Sequence, residues 1–225
     1  MDTSCFIHFH GIASARPALL SAVESLLCSR PAGTGVAVMH TPMSLPGADP
    51  LPVDQDERLL LCQVDGAASA ALAGTLDALA RGIDGVREIT HQCMALERIT
   101  AGAPDDPRAP AQAVSWIVQY NGPAQDPAAF HAYYRAHHVP IVHRMPGIRS
   151  LSWYVPAAWS GPPGVARVEH LQIVQAVFDN AEGLIAMRNS PQRREGLSDF
   201  ANYPSFQGPV THQAMSSRRI WAPSC

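Results

Sequence analysis

The string THQCMALERI occupies residues 90–99, and THQAMSSRRI occupies residues 211–220. Thr, His, Gln, Met, Arg and Ile agree in place between the two. A ten-residue recurrence this close points to duplication of a larger unit, and the chain upstream of each copy bears this out. CFIHFHG (5–11) and WIVQYNG (116–122) both read as strands ending in glycine. GVAVMHTP (35–42) and RSLSWYVP (149–156) both end in proline, and RLLLCQVD (58–65) and IVQAVFD (173–179) both end in aspartate. The pairs keep their order while their offsets grow from 111 to 121, so the second copy carries the longer loops.

Helices are expected between these strands. In 15–27, Leu19, Leu20, Val23, Leu26 and Leu27 recur at helical spacing. The same place in the second copy holds DPAAFHAYYRAHHVPIV (126–142), with Asp126 suited to cap the helix and Pro127 to its first position. Phe130, Tyr133, Tyr134, His137, His138 and Ile141 then form one stripe, and Pro140 is expected to end or kink the helix near Val139. A second helix follows the third strand in each copy, over 68–83 and from 181, with a break at Pro191 and a further turn or helix to Tyr203. Each copy therefore reads β-α-β-β-α-β. The fold class is α+β: two tandem ferredoxin-like units, 1–100 and 113–225, packed sheet to sheet or closed into one intrachain α+β barrel, with 101–112 as a Pro- and Ala-rich linker. A four-stranded sheet with helices on one face leaves the other face bare, and the second copy covers it.

The chain has 225 residues, 47% hydrophobic and 16% charged, which implies a folded core. Its net charge of −3 gives no electrostatic footprint for nucleic acid or an anionic membrane. All sixteen basic residues are arginine, which excludes Schiff-base chemistry, a pyridoxal-phosphate anchor and a Walker lysine. No apolar run is long enough to span a membrane, and the first residues do not read as a signal peptide. The five cysteines are scattered with no CxxC, which reads as a reduced, cytoplasmic protein with mostly buried thiols. Cys93 corresponds to Ala214 in the second copy, so packing is its expected role.

Ten histidines are the most informative feature, because a neutral imidazole moves protons near neutral pH without a cofactor. His138 lies one turn beyond Tyr134 and shares its face. On the first strands His8 and His10 share a face with Phe6, and Gln119 and Asn121 share one with Ile117, while Ile7, Phe9, Val118 and Tyr120 read as core. These polar faces are expected beneath the helices as a cavity with convergent polar groups. His91 and His212 sit on the last strands and are expected near those rows; His8, His10, His40 and His91 are a candidate metal cluster, but spacing fixes no acidic partner for them and no metal is expected. The loops 42–57 and 156–169, the latter with Trp159, stand out as a mobile surface and a possible cover.

The run FHAYYRAHHVPIVHRMPGIRSLSWY (130–154) resembles the EthD family of dimeric α+β-barrel proteins. The features that carry the resemblance are the aromatic pair Tyr133–Tyr134, then Arg135, His138-Val139-Pro140-Ile141, and Pro146-Gly147. The resemblance implies a barrel of two such units, here supplied by one chain, and a pocket between sheet and helices. The wider superfamily includes cyclases, isomerases, lyases, cofactor-free monooxygenases and haem-binding branches. Several of its cyclases use a histidine after a proline in the second helix, where this chain has SPQRRE (190–195).

The expected function is cofactor-independent histidine acid/base chemistry on a small apolar aromatic, carbonyl or lactone metabolite, of lyase, isomerase or cyclase type. The alternative is a non-catalytic binding or accessory protein. Catalytic roles are expected for His138, Tyr134, Asn121 and His212, and substrate contacts for Gln119, Tyr154, Trp153, His8, His10 and His91. No cofactor, nucleic acid or membrane is expected, and a homodimer of the two-unit chain is open.

Overall fold

Period-two alternation makes the strands, and barrel closure decides where each face points. The computed structural model describes residues 3–30, 36–47, 57–66, 69–98, 112–159, 161 and 164–221. The first half contains β1 (Thr3–Gly11), α1 (Arg16–Cys28), β2 (Val36–Pro42), β3 (Arg58–Asp65), α2 (Ser69–Arg81) and β4 (Val86–Arg98). The second contains β5 (Gln112–Tyr120), α3 (Pro127–Tyr133), a π turn (Tyr134–His138) and α4 (Val139–His143). It continues through β6 (Ser150–Pro156), a two-residue β7 (Ala166–Arg167), β8 (Gln172–Phe178), α5 (Ala181–Arg188), α6 (Pro191–Asp199) and β9 (Val210–Trp221). Of the expected linker, only its last residue, which begins β5, is described, and most of the 42–57 loop also falls outside the described residues.

The strands follow one another as β1-β3-β2-β9-β5-β8-β6-β4, and β4 returns to β1, so eight antiparallel strands close into a barrel. Each half contributes the ferredoxin-like order, β4-β1-β3-β2 and β9-β5-β8-β6. The halves join edge to edge, β2 against β9 and β4 against β6. The repeated strings occupy matching places: His91 lies opposite Ile7, and His212 lies opposite Val118.

Closure buries both faces of the eight barrel strands over most of their length. Cys5, Ile7 and Phe9 pack outward under α1 and α2 in one core, while Trp116, Tyr120, Trp153 and Val174 pack outward under the second half's helices in another. Phe6, Leu61, Met94, Ile117, Tyr154, Ile173 and Met215 come from seven different strands and meet in the barrel interior. His8, Gln119 and Asn121 are on the interior side with Phe6 and Ile117. The polar strand faces expected under the helices therefore face the lumen. Alternation shows which residues share a face; it does not show which face the barrel encloses.

A polar network occupies the lumen at the end where β1 and β5 begin. His40 Nδ1 lies 2.7 Å from Ser217 Oγ, which donates to Ser115 Oγ at 2.8 Å. Gln63 Nε2 donates to Tyr154 Oη (3.0 Å), which donates to Gln175 Oε1 (3.2 Å). Such pairing lets polar side chains remain in the interior without the cost of an unmet hydrogen bond. Cys5, Cys62 and Cys93 are buried free thiols; Cys28 is disulfide-bonded, so the expectation of reduced thiols throughout does not hold. Burial pushes the Cys62 thiol up to about 12, which leaves it inert as a nucleophile at neutral pH.

Candidate active site

The helix that carries His138 starts as its sequence dictates. Asp126 caps α3 by accepting from the Ala129 N–H at 3.0 Å, and Pro127 takes an early position where no N–H is needed. Of the two outcomes expected near Val139, an end or a kink, the helix does not end there but is distorted just before Pro140. The backbone widens into the π turn Tyr134–His138 and continues through α4 to His143. A π turn relieves the clash between a proline ring and the carbonyl one turn back, so Pro140 is accommodated rather than terminating the helix.

The turn aims Tyr134 and His138 at the outer face of the second half's sheet, with ring centroids 5.0 Å apart. They line a cavity of about 60 Å³ together with Trp116, Tyr120, Arg193 and Phe200. Gly196 leaves room for the imidazole, since a Cβ there would lie 3.4 Å from His138 Cε1. His138 Nδ1 donates to Asp199 Oδ2 at 2.9 Å, and Tyr133 Oη donates to Asp199 Oδ1 at 2.9 Å. With Nδ1–H committed to a carboxylate, Nε2 of the neutral ring is left as a proton acceptor. Burial lowers the His138 pKa, and the Asp199 hydrogen bond and charge act against that shift. Burial also raises Tyr134 well above the ordinary phenol range and Tyr120 to about 12. The phenols are therefore protonated hydrogen-bond donors at neutral pH. Tyr203 closes the group, its ring 5.3 Å from His138 and 6.0 Å from Tyr134.

The other expected site residues lie elsewhere. Asn121 and Gln119 belong to a buried cluster at the opposite end of the lumen from His40. Arg58 Nη1 donates to Gln119 Oε1 (3.0 Å), Gln119 Nε2 donates to His170 Nε2 (2.9 Å), and His170 Nδ1 donates to Asn121 Oδ1 (2.6 Å). His8 joins this cluster 5.5 Å from His170, with His10 stacked 6.3 Å away. His212 is outside the barrel, stacked 4.3 Å from Trp116. His91 points outward on the first half and is influenced by Asp77 and Arg81 of α2. Trp153 faces Tyr134 at 5.5 Å and donates through Nε1 to Gln172, whereas its neighbour Tyr154 points into the lumen. The sheet thus separates His138 and Tyr134 from Asn121, Gln119, Tyr154, His8 and His10. It also divides the four histidines of the candidate metal cluster, and among the described residues no group of His, Cys, Asp and Glu is placed to hold a metal. Trp159, with the Arg167 guanidinium 4.9 Å above its ring, lines a separate cavity beside His131 and His170.

Asp199, Tyr203 and Arg193 carry much of the site and were not singled out in the sequence. Asp199 follows Ser198 in a stretch of mixed polarity with no motif around it, and only the packing of α6 against the π turn brings it to His138.

Residues 122–203 match the EthD domain family. That stretch, just over a third of the chain, resembles an EthD domain. That domain spans the helices, cavity and dyad just described, while β5 and β9 flank it. No curated protein matches the chain in sequence. Among solved structures, an anthrone oxidase-like protein is similar over 99% of this chain and 94% of its own, with 12% identity and a TM-score of 0.58. Chlorite dismutase from Candidatus Nitrospira defluvii, solved in complex with imidazole, is similar over 96% of this chain and 91% of its own, with 13% identity and a TM-score of 0.52. These likenesses establish the two-unit α+β barrel around the EthD domain. Among the described residues no helix is long and apolar enough to cross a membrane.

Proposed function

We propose that the EthD-domain cavity is the active site of a cofactor-independent enzyme that moves a proton on a small apolar carbonyl, lactone or aromatic compound. The observation that carries this reading is His138, backed by Asp199, in the wall of a largely apolar cavity. Asp199 fixes the ring so that Nε2 accepts a proton, and it stabilises the imidazolium that forms. Tyr134 is a protonated phenol beside the acceptor and donates to the oxygen on which charge develops. Arg193, on the same wall, adds positive charge for an enolate or phenolate. Removal of a proton beside a carbonyl is the shared first step of isomerase, lyase and cyclase outcomes. It also activates a phenolic compound toward oxidation, the sphere of the anthrone oxidase-like neighbour.

Solvent-deuterium exchange tests this without knowledge of the final product. Aryl ketones, lactones and polyphenols incubated in D2O with the protein are followed by NMR. Exchange at the acidic carbon is expected, and His138→Gln is expected to slow it about a hundredfold or more. Compounds that bind in the cavity yet exchange no faster than in buffer would leave a binding or accessory role instead.

A further inference from the structure

A second cavity, of about 670 Å³, lies beside β4 where β6 ends at Pro156, next to Trp159. The segment that follows β7 supplies its charged wall, and hydrogen bonds pin that segment to the barrel. Val168 N–H donates to the His91 carbonyl (3.0 Å) and Leu171 N–H to the Tyr120 carbonyl (2.8 Å). Between them, Gln92 Nε2 donates to the His170 carbonyl (3.0 Å) and Gln92 Oε1 accepts from the His170 N–H (2.9 Å). Arg167 and Glu169 belong to this wall, and both are exposed. The Arg167 guanidinium stands 4.9 Å over the Trp159 ring, a contact with the ring face that leaves its N–H donors for other partners. Among the described residues neither Arg167 nor Glu169 forms a hydrogen bond or an ion pair, with the other or with a third group. His131 of α3 lines the same cavity. Its Nε2 donates to the Leu171 carbonyl at 3.1 Å, and burial lowers its pKa, so Nδ1 of the neutral ring is left as an acceptor.

Pro123, Pro127, Val155, Pro156 and Trp159 make much of the remaining wall apolar, which matches a hydrocarbon or aromatic body. The two charges then decide what that body carries. A plain acid would be drawn to Arg167 and repelled by Glu169, and a plain amine would meet the reverse. A molecule with both charges beside its apolar body meets each with its opposite. We infer that this cavity binds a small zwitterion, an α-amino acid with an aromatic or aliphatic side chain. Its carboxylate accepts from the planar Arg167 fork, and its ammonium donates to Glu169 and His131. The pinned wall needs little ordering when the ligand arrives. The inference stands on Arg167 and Glu169 and does not depend on proton transfer at His138.

Calorimetric titration of the full chain with L-phenylalanine tests it, beside 3-phenylpropionate, which lacks the ammonium, and 2-phenylethylamine, which lacks the carboxylate. The wild type is expected to bind L-phenylalanine more tightly than either. Arg167→Gln is expected to weaken L-phenylalanine and 3-phenylpropionate about two- to fivefold, the scale of one solvent-exposed charge pair, and not to weaken 2-phenylethylamine. Glu169→Gln is expected to weaken L-phenylalanine and 2-phenylethylamine by a similar factor, and not to weaken 3-phenylpropionate. His138→Gln is expected to change none of the three. Thermal melts show whether each variant is folded, and if Arg167→Gln is not, Glu169→Gln decides alone. The inference is overturned if the wild type does not bind L-phenylalanine, if 3-phenylpropionate binds it as tightly, or if Glu169→Gln binds L-phenylalanine as well as wild type. Loss of binding in His138→Gln alone would also overturn it, by placing the amino acid in the other cavity.

Discussion

The two halves share one strand plan and differ in what lies between sheet and helices. Counted from the matched glycines Gly11 and Gly122, Leu19, Val23 and Leu27 stand where Phe130, Tyr134 and His138 stand. All three of those first-half residues are fully buried against Cys5, Ile7 and Phe9, and they fill the layer. In the second half the helix opens into a π turn, and α6 adds Asp199 and Arg193 from a segment the first half lacks. The first half runs from α2 through a short turn into β4. A layer packed with leucine braces the barrel, while a layer with aromatic and titratable groups leaves a cavity. The lesson is that duplication supplied the shell twice, and that the helix layer of only one copy stays open.

Several experiments break or sharpen that contrast. The largest effect is expected from separating the halves. Expressed alone, 1–100 and 113–225 would each expose one face of a four-stranded sheet and both seam edges, and neither is expected to fold as a stable monomer. Cooperative melting of either piece as a monomer would show that the halves are independent domains.

Next is the chemistry of the open half. His138→Gln keeps a hydrogen-bonding group but no proton acceptor of suitable basicity, so exchange activity is expected to fall about a hundredfold or more. Because burial lowers the His138 pKa, the neutral, active form is favoured. Activity is expected to rise with pH through one ionisation below 6.5 and to remain high above it. A profile that falls through neutrality would make His138 the acid instead.

In the closed half, Leu27→Ala removes a fully buried side chain from a filled layer and is expected to cost about 2–5 kcal/mol, read by denaturant unfolding, with activity of the folded protein retained. Acid should weaken the whole barrel. Burial lowers both His40 and His91 to about 4 from an ordinary 6.5. The folded state then binds fewer protons than the unfolded chain within that window. Stability is therefore complete above about 6.5 and is lost as pH falls toward 4, measurable as a falling melting temperature. The smallest effect is expected from Tyr133→Phe, which removes one of the two donors on Asp199 and costs about 1 kcal/mol. Its activity–pH profile is expected to shift slightly upward, because Asp199 then attracts the His138 proton more strongly.

Much of the architecture was legible in the residues. The paired strings gave the strand order, and Asp126 and Pro127 marked the start of α3. The Tyr134–His138 pair was legible from helical spacing and the family run. The partners of His138 were not, because Asp199 is 61 residues away in sequence and only tertiary packing joins them. Nor could the alternation in HFH (8–10) or QYN (119–121) reveal whether its polar side met helices or lumen. That depends on closure through β2–β9 and β4–β6, which no single strand encodes. Pro140 marked a disruption of the helix but not its form, because a helix stop and a π turn satisfy the same steric constraint.

The ring of eight strands bears also on how this chain meets other molecules. A strand at the rim of an open sheet offers a row of amide groups on which a foreign strand can grow, and proteins spend charges and prolines to prevent it. Here the rims of the two half-sheets are spent on one another, β2 on β9 and β6 on β4. Among the eight barrel strands no rim is left as a template. Self-association of the folded chain must then use side chains of its helices and loops, while a chain with its seams pulled apart would present four such rims at once.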